Sequence, residues 1–293
     1  MCIRDRLDFN VVVDLFMTPT AVAFADVVLP ATTYAERDGV AMTVGCTFVG
    51  TTNKAIDPVG ESRSDAEINL ELGRRFNPEA WPWKDVQEMF NAMLEPTGLT
   101  FEEVREKGYL FDQFEYRKYE RGLLRHDRKA GFNTPTGKVE LYSTILQRFG
   151  LDPLPYFEEP PESPVSTPDI ARDYPLILTT GGRVWSFFHS EHRQIHSLRG
   201  MNPDPLTEIH PETAEKLGIK DGDWIYIETR YGRCRQKAKL TRAIDPRMVH
   251  AQHGWWFPEE PAAEPSLFGV WESNINLLLP SGWTGRSLSL IHI

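Results

Sequence analysis

Six prolines fall between residues 153 and 168, at Pro153, Pro155, Pro160, Pro161, Pro164 and Pro168. Proline fixes φ and has no backbone N–H, so neither a helix interior nor a central strand can run through this stretch. The chain is therefore expected to form two modules, residues 7–152 and 173–287, joined by a proline-rich linker over residues 153–172. The residue pattern changes across that linker, and each side can be read separately.

Before the linker the pattern mixes strand and helix. Phe9 to Phe16 is a short β-branched run that ends around Asp14, which reads as a buried parallel strand. Phe24 to Pro30 reads as a second strand, stopped by its proline. Ser64 with Glu67, and Thr100 with Glu103, have the capping-box spacing, so helices are expected after each, with Asn77-Pro78 and Gly108 as stops. Asp85 to Leu94 repeats the helical pattern. Residues 109–131 read as an exposed excursion, and Phe132 to Tyr142 as a turn and a strand.

After the linker the segments are short. Pro175 to Thr180 reads as a strand, and Pro211 to Leu217 as a helix with proline at its first position and Gly218 at its end. Trp224 to Thr229 and Arg233 to Leu240 form a hairpin across Tyr231-Gly232, with further short segments at His250 to Pro258 and Asn276 to Leu279. This grammar predicts a closed or nearly closed β-barrel with one or two small helices.

Composition removes several classes. Of 293 residues, 41% are hydrophobic and 25% charged, so a packed globular chain is expected. The net charge of -10 argues against general nucleic-acid binding and against a basic membrane-attaching patch. No apolar run reaches the roughly 18 residues that direct membrane insertion of a helix needs. Cys2, Cys46 and Cys234 have no paired spacing, which excludes a disulfide framework and a four-cysteine metal cluster. Met1 to Arg6 and Leu288 to Ile293 are translations of one DNA string and its reverse complement, and that string resembles a transposon end used in preparing sequencing libraries. Residues 1–6 and 288–293 are therefore expected to be non-native ends, and the rest a piece of a longer protein.

Six histidines, His189, His192, His196, His210, His250 and His253, concentrate in the second module. His192 and His196 have the spacing to share a helix face. No Cys or carboxylate completes a zinc set, however, and Arg193 sits inside the cluster, so no metal site is assigned. Just upstream, Thr180-Gly181-Gly182-Arg183 follows an apolar strand. Two glycines allow close backbone approach, their N–H groups can cradle an anion, and Arg183 can fork onto phosphate. With His189, Ser190, His192 and Arg193 close by, this suggests a local positive pocket for a phosphate or polar heterocycle. Thr134 to Lys138 fails as a phosphate loop because Val139 stands where Ser or Thr is required. Glu36 and Asp38 read as an exposed polar turn, and Trp255-Trp256-Phe257 as packing.

Six segments, in order, carry a family resemblance: VVVDLFMTPTAVAFADVVLPATTYAERDG (11–39), FNTPTGKVELYS (132–143), YPLILTTGGRVWSFFHSEHRQ (174–194), IHPETAEKLGIKDGDWIYIET (209–229), HAQHGWWFPE (250–259) and WESNINLLLP (271–280). The chain resembles the C-terminal part of the catalytic subunit of molybdopterin oxidoreductases of the dimethyl sulfoxide reductase type. Within that family it is similar to the thiosulfate or polysulfide reductase and catechol dehydroxylase-like branch, with acetylene-hydratase relatives nearby. The resemblance implies an α/β fold: a partial doubly wound dinucleotide-binding domain, then a double-psi β-barrel. It also implies two molybdopterin guanine dinucleotides holding Mo or W, acting on a small-molecule substrate. Asp14, Thr18 and Thr20 would meet the guanine end, Asp14 because it closes a parallel strand. Thr180, Gly181, Gly182, Arg183, His189 and Ser190 match the loop around a pterin and its phosphates, and His253 and Asn276 match positions lining the same cofactor. The resemblance places the [4Fe-4S] cysteines and the metal ligand in an N-terminal part outside this sequence, and implies an iron–sulfur electron-transfer subunit as partner. A metal-free electron-transfer subunit on the same scaffold and a stand-alone binding barrel are the alternatives.

Overall fold

The computed structural model describes residues 7–42, 48–111, 115–154 and 156–280. The expectations about the two end hexapeptides, and about Cys46, fall outside the described residues. The chain packs as two compact units, one of residues up to Ala31 together with those from Pro160 onward, the other Thr32–Glu159. The return at Pro160 lies inside the proline-rich stretch, and the first strands belong with the C-terminal half.

The first unit begins with β1 (Val11–Asp14), α1 (Pro19–Phe24) and β2 (Val27–Pro30). β1 and β2 pair in parallel, with Asp14 opposite Pro30. The helix between them starts where Thr18 caps it and Pro19 takes its first turn, where a missing N–H costs nothing.

The second unit holds an antiparallel sheet of β3 (Gly39–Met42), β4 (Phe48–Thr52) and β5 (Leu110–Phe111). Its helices α2 (Asp65–Phe76) and α4 (Phe101–Lys107) begin at the expected caps Ser64 and Thr100, and α3 (Val86–Leu94) is capped by Asp85, whose side chain accepts from Glu88 N–H. They bury Leu70, Met89, Phe90, Leu94, Phe101 and Val104 in one cluster, with Phe90 and Phe101 stacked at 5.2 Å. Glu36 does not sit in an exposed turn. It is buried, and its carboxylate accepts from the Thr33 and Val59 N–H groups at 2.7 and 2.9 Å. Residues 132–142 form turns and not the expected strand. Phe132 N–H bonds Gly137 O, and Val139 and Leu141 are exposed, with no sheet among the described residues to cover them. A short α5 (Thr144–Arg148) follows.

From Pro160 the chain runs through α6 (Ile170–Asp173) into β6 (Ile177–Thr179), α7 (His196–Met201), β7 (Leu206–Ile209), α8 (Pro211–Leu217), β8 (Trp224–Thr229), β9 (Gly232–Leu240), β10 (Met248–Ala251) and α9 (Val270–Ser273). The strands form one five-stranded sheet in the order β6-β10-β7-β9-β8. β6 runs parallel to β10 and β7 to β9, while the other neighbours are antiparallel. β9 alternates strictly: Cys234, Gln236 and Ala238 point into the core, Arg233, Arg235 and Lys239 outward. Buried Gln236 accepts from the Thr207 hydroxyl at 3.0 Å and donates to Gln252 O at 2.8 Å, which satisfies its amide. Ile275–Leu278 is a 3-10 turn, not a strand, because the Asn274 side chain caps it by accepting from Asn276 N. Its Ile275 and Leu278 close the core against Ile227, Cys234 and Ala251.

Candidate functional site

Open sheets present ligands at the carboxyl ends of parallel strands, and two such ends here hold Asp14 and Thr179–Thr180. At the first, Asp14 closes β1 half-buried. Its carboxylate accepts from the Leu15 N–H at 2.7 Å and from the Thr18 hydroxyl at 3.1 Å. Thr18 also takes the Ala21 N–H at 3.3 Å, so one hydroxyl fixes both the carboxylate and the start of α1. Thr20 sits in the first turn of α1.

At the second, β6 and β10 end together, His250 opposite Thr179. Their continuations, residues 180–193 and 252–257, cross one another. Thr180 O lies 3.0 Å from His253 Nδ1, and His253 Nε2 lies 2.9 Å from His189 Nδ1. A carbonyl only accepts, so His253 carries its proton on Nδ1, and neutral His253 then accepts at Nε2 from His189 Nδ1–H. This leaves His189 Nε2 as the ring nitrogen outside the relay. Burial holds His253 below its ordinary value, helped by His189, Arg193 and His250 and opposed by the Thr180 carbonyl.

The crossing is tight. Gly254 has φ +70°, and a Cβ there would lie 2.8 Å from His189 O. Trp256 Nε1 donates to Ser190 O at 2.7 Å, fixing the Ser190 backbone. Trp255, Trp256 and Phe257 are all buried, as packing residues should be. Arg183 is exposed and stacks over Phe188 at 4.2 Å, beside a cavity of about 360 Å³ lined by residues 183–188. Phe188 in turn meets the His189 ring edge-on at 4.4 Å.

Arg193 does not join the positive pocket expected of it. It is 2% exposed, sandwiched between Phe187 (4.5 Å) and Trp255 (4.7 Å), and bonds the carbonyls of Glu191 and His253. Burial pushes its guanidinium down to about 10. Its work is to tie the two crossing loops together. His192 has φ +68° and precedes α7, while His196 opens that helix, so the two do not share a helix face. Asn276 lies in the 3-10 turn beside the β8–β9 hairpin, where Thr229 Oγ1 donates to Leu278 O at 2.9 Å.

The donor set suits an anionic, heterocyclic group. Gly181 has nothing within 4 Å of where a Cβ would stand, and Arg183, His189 and Ser190 are exposed around it. Residues 3–75 match the molybdopterin oxidoreductase family, and residues 176–287 match the molydopterin dinucleotide binding domain. The chain belongs to the molybdopterin oxidoreductase family. Acetylene hydratase of Syntrophotalea acetylenica is 38% identical over 264 residues, 89% of this chain and 35% of that protein. Dopamine dehydroxylase of Eggerthella lenta is 30% identical over 326 residues, 86% of this chain and 32% of that protein. The solved structure of acetylene hydratase from Pelobacter acetylenicus superposes with a TM-score of 0.83 at 36% identity, covering 93% of this chain and 37% of that one. This molybdopterin oxidoreductase chain thus spans about a third of the length of the relatives it matches.

Proposed function

We propose that the chain supplies the cofactor-holding surface of the catalytic subunit of a Mo or W bis-pyranopterin guanine dinucleotide enzyme. The reading is supported by one observation: two parallel strand ends in the same compact unit lead into a carboxylate, Asp14, and a glycine turn with an exposed arginine, Thr180–Arg183. The bound group would supply the redox or atom-transfer chemistry on a small-molecule substrate. Asp14 accepts from the guanine N1–H and amine; Thr18 holds the carboxylate in that orientation, and Thr20 adds a hydroxyl nearby. Gly181 and Gly182 offer backbone N–H groups, Arg183 forks onto phosphate, and His189, Ser190, His253 and Asn276 line the pterin. In this reading the Asp14 carboxylate and the Gly181–Ser190 loop face one cleft, and the sheet from β6 to β10 belongs to a double-psi barrel.

The test uses the longer parent protein, with molybdenum or tungsten and acid-released GMP measured per polypeptide. Arg183→Ala should lower retention of both after gel filtration, since a charged hydrogen bond to phosphate is worth about 1.5–3 kcal/mol. Asp14→Asn should lower GMP content while the fold is kept. Full metal and GMP content in both variants would refute the assignment and favour the stand-alone barrel. The match to acetylene hydratase favours a second reading of the reaction class, hydration of a small unsaturated molecule in place of electron or atom transfer. Assaying the parent for acetylene hydration alongside viologen-linked reduction separates the two.

A further inference from the structure

The two glycines of the turn differ in a way that points below it. A Cβ on Gly181 would stand in open space, whereas one on Gly182 would lie 2.7 Å from His250 Nε2 and 3.0 Å from its Cε1. Neither residue needs left-handed backbone, so the constraint at 182 is one of volume and its source is the imidazole.

That imidazole is itself fixed. His250 and Thr179 are register partners on parallel strands, and His250 Nδ1 lies 3.1 Å from Thr179 Oγ1. The same hydroxyl donates to Val249 O at 3.3 Å. A hydroxyl has one hydrogen, so with that hydrogen directed to the carbonyl it meets Nδ1 as an acceptor. The ring proton then sits on Nδ1, and Nε2 faces the turn with its lone pair. Strand pairing, hydroxyl and ring together hold one edge of the imidazole in the space a side chain at 182 would fill.

We infer that His250 is a positioning residue of the Gly181–Arg183 turn, propping the backbone so that Gly181 and Arg183 face outward to the ligand. The ligand-facing half of this inference rests on the proposed cofactor reading; the contact between His250 and Gly182 does not. The ring takes no part in binding and acts through the turn.

The experiment uses the full 293-residue chain with Gly182→Ala, His250→Ala, the double variant and His250→Asn. Two quantities are read: hydrogen exchange of the Phe187 amide, which closes the turn by donating to Val184 O at 3.1 Å, and affinity for inorganic pyrophosphate by calorimetry. Gly182→Ala should speed turn exchange by about tenfold or more, the scale of an overpacked contact. In the His250→Ala background the same substitution should slow exchange again, because the added methyl refills the vacated space. His250→Asn keeps a polar atom for Thr179 but leaves the 182 side empty, so it should speed turn exchange as His250→Ala does. Additive effects of the two single substitutions, or an unchanged turn in His250→Ala, would overturn the inference. If exchange shows the coupling but pyrophosphate fails to bind the unaltered chain, the positioning role stands and the anion reading of the turn fails. If pyrophosphate binds and His250→Ala leaves its affinity unchanged, the prop does not serve the ligand and the inference is again overturned.

Discussion

Gly254→Ala should be among the most damaging single-methyl changes in the first unit, and its cost can be separated into two parts. Gly254 and Gly218 have nearly the same backbone, φ +70° and +71°. Alanine in that left-handed region costs about 1–2 kcal/mol, offset by about 0.4–1 kcal/mol because the unfolded chain loses freedom. At Gly218, the C-cap of α8, a Cβ meets nothing within 4 Å, so Gly218→Ala should cost about 1 kcal/mol or less. At Gly254 a Cβ would stand 2.8 and 2.9 Å from His189 O and C and 3.1 Å from Ser190 N. All three are backbone atoms that cannot swing aside, which adds about 1–3 kcal/mol of overpacking. The total expected at Gly254 is about 1–4 kcal/mol, with the excess over Gly218 assigned to the loop crossing. Urea unfolding followed by circular dichroism and tryptophan fluorescence measures both variants. Near-ultraviolet dichroism should also change for Gly254→Ala alone, because Trp256 would lose its bond to Ser190 O. If the two variants lose equal stability, the loops do not cross in contact and the His189–His253 relay loses its scaffold.

Three further outcomes are expected. Ser64→Ala should cost about 1 kcal/mol in the second unit, since Ser64 caps α2 through Glu67 N–H and anchors the Glu67 carboxylate in return; a thermal midpoint unchanged from the parent chain would contradict the cap. His253, held below its ordinary value of 6.5 chiefly by burial, binds fewer protons folded than unfolded just below that pH. Its contribution to stability is therefore full above 6.5 and falls as pH drops through the window beneath it, and His253→Gln should flatten that part of the pH–stability curve. Cys234 is 2% exposed and burial pushes its thiol up to about 11, so peptide-mapped alkylation of Cys234 should follow global unfolding; rapid labelling in the native state would refute its core position.

Elements fixed by neighbours in sequence were legible. The caps at Ser64 and Thr100, the helical segment after Asp85, the Pro211–Gly218 helix and the 224–240 hairpin follow from local chemistry and appear as read. α1 falls between the two expected strands, in a stretch assigned no element, although Thr18-Pro19 has the chemistry of a helix start. The errors lie where tertiary context decides. Val139 and Leu141 alternate like a strand yet no sheet among the described residues covers them, and Asn274 turns the 275–278 segment helical. At the site, the turn and the histidines could be singled out, but not their partners. His189 and His253 are 64 residues apart, and no short-range pattern encodes a contact at that separation. Arg193 looked like a ligand because of its charge. Only the packed structure shows two aromatic rings enclosing it.

The pairing of Thr179 with His250 makes the site a matter of alignment as much as of composition. Slide β10 by a single residue against β6 and every side chain on it changes face. His250 would leave the underside of Gly182, and Val249 or Ala251 would take its place. The loop carrying His253 would be displaced along the strand axis by about 3.3 Å, more than the length of the bond that joins it to His189. A variant with every site residue intact could therefore be silent, its groups present but out of phase. Substitutions that loosen strand register, such as exchanging buried Val249 for a residue indifferent to which face it occupies, are where loss of function without loss of any site residue should be sought.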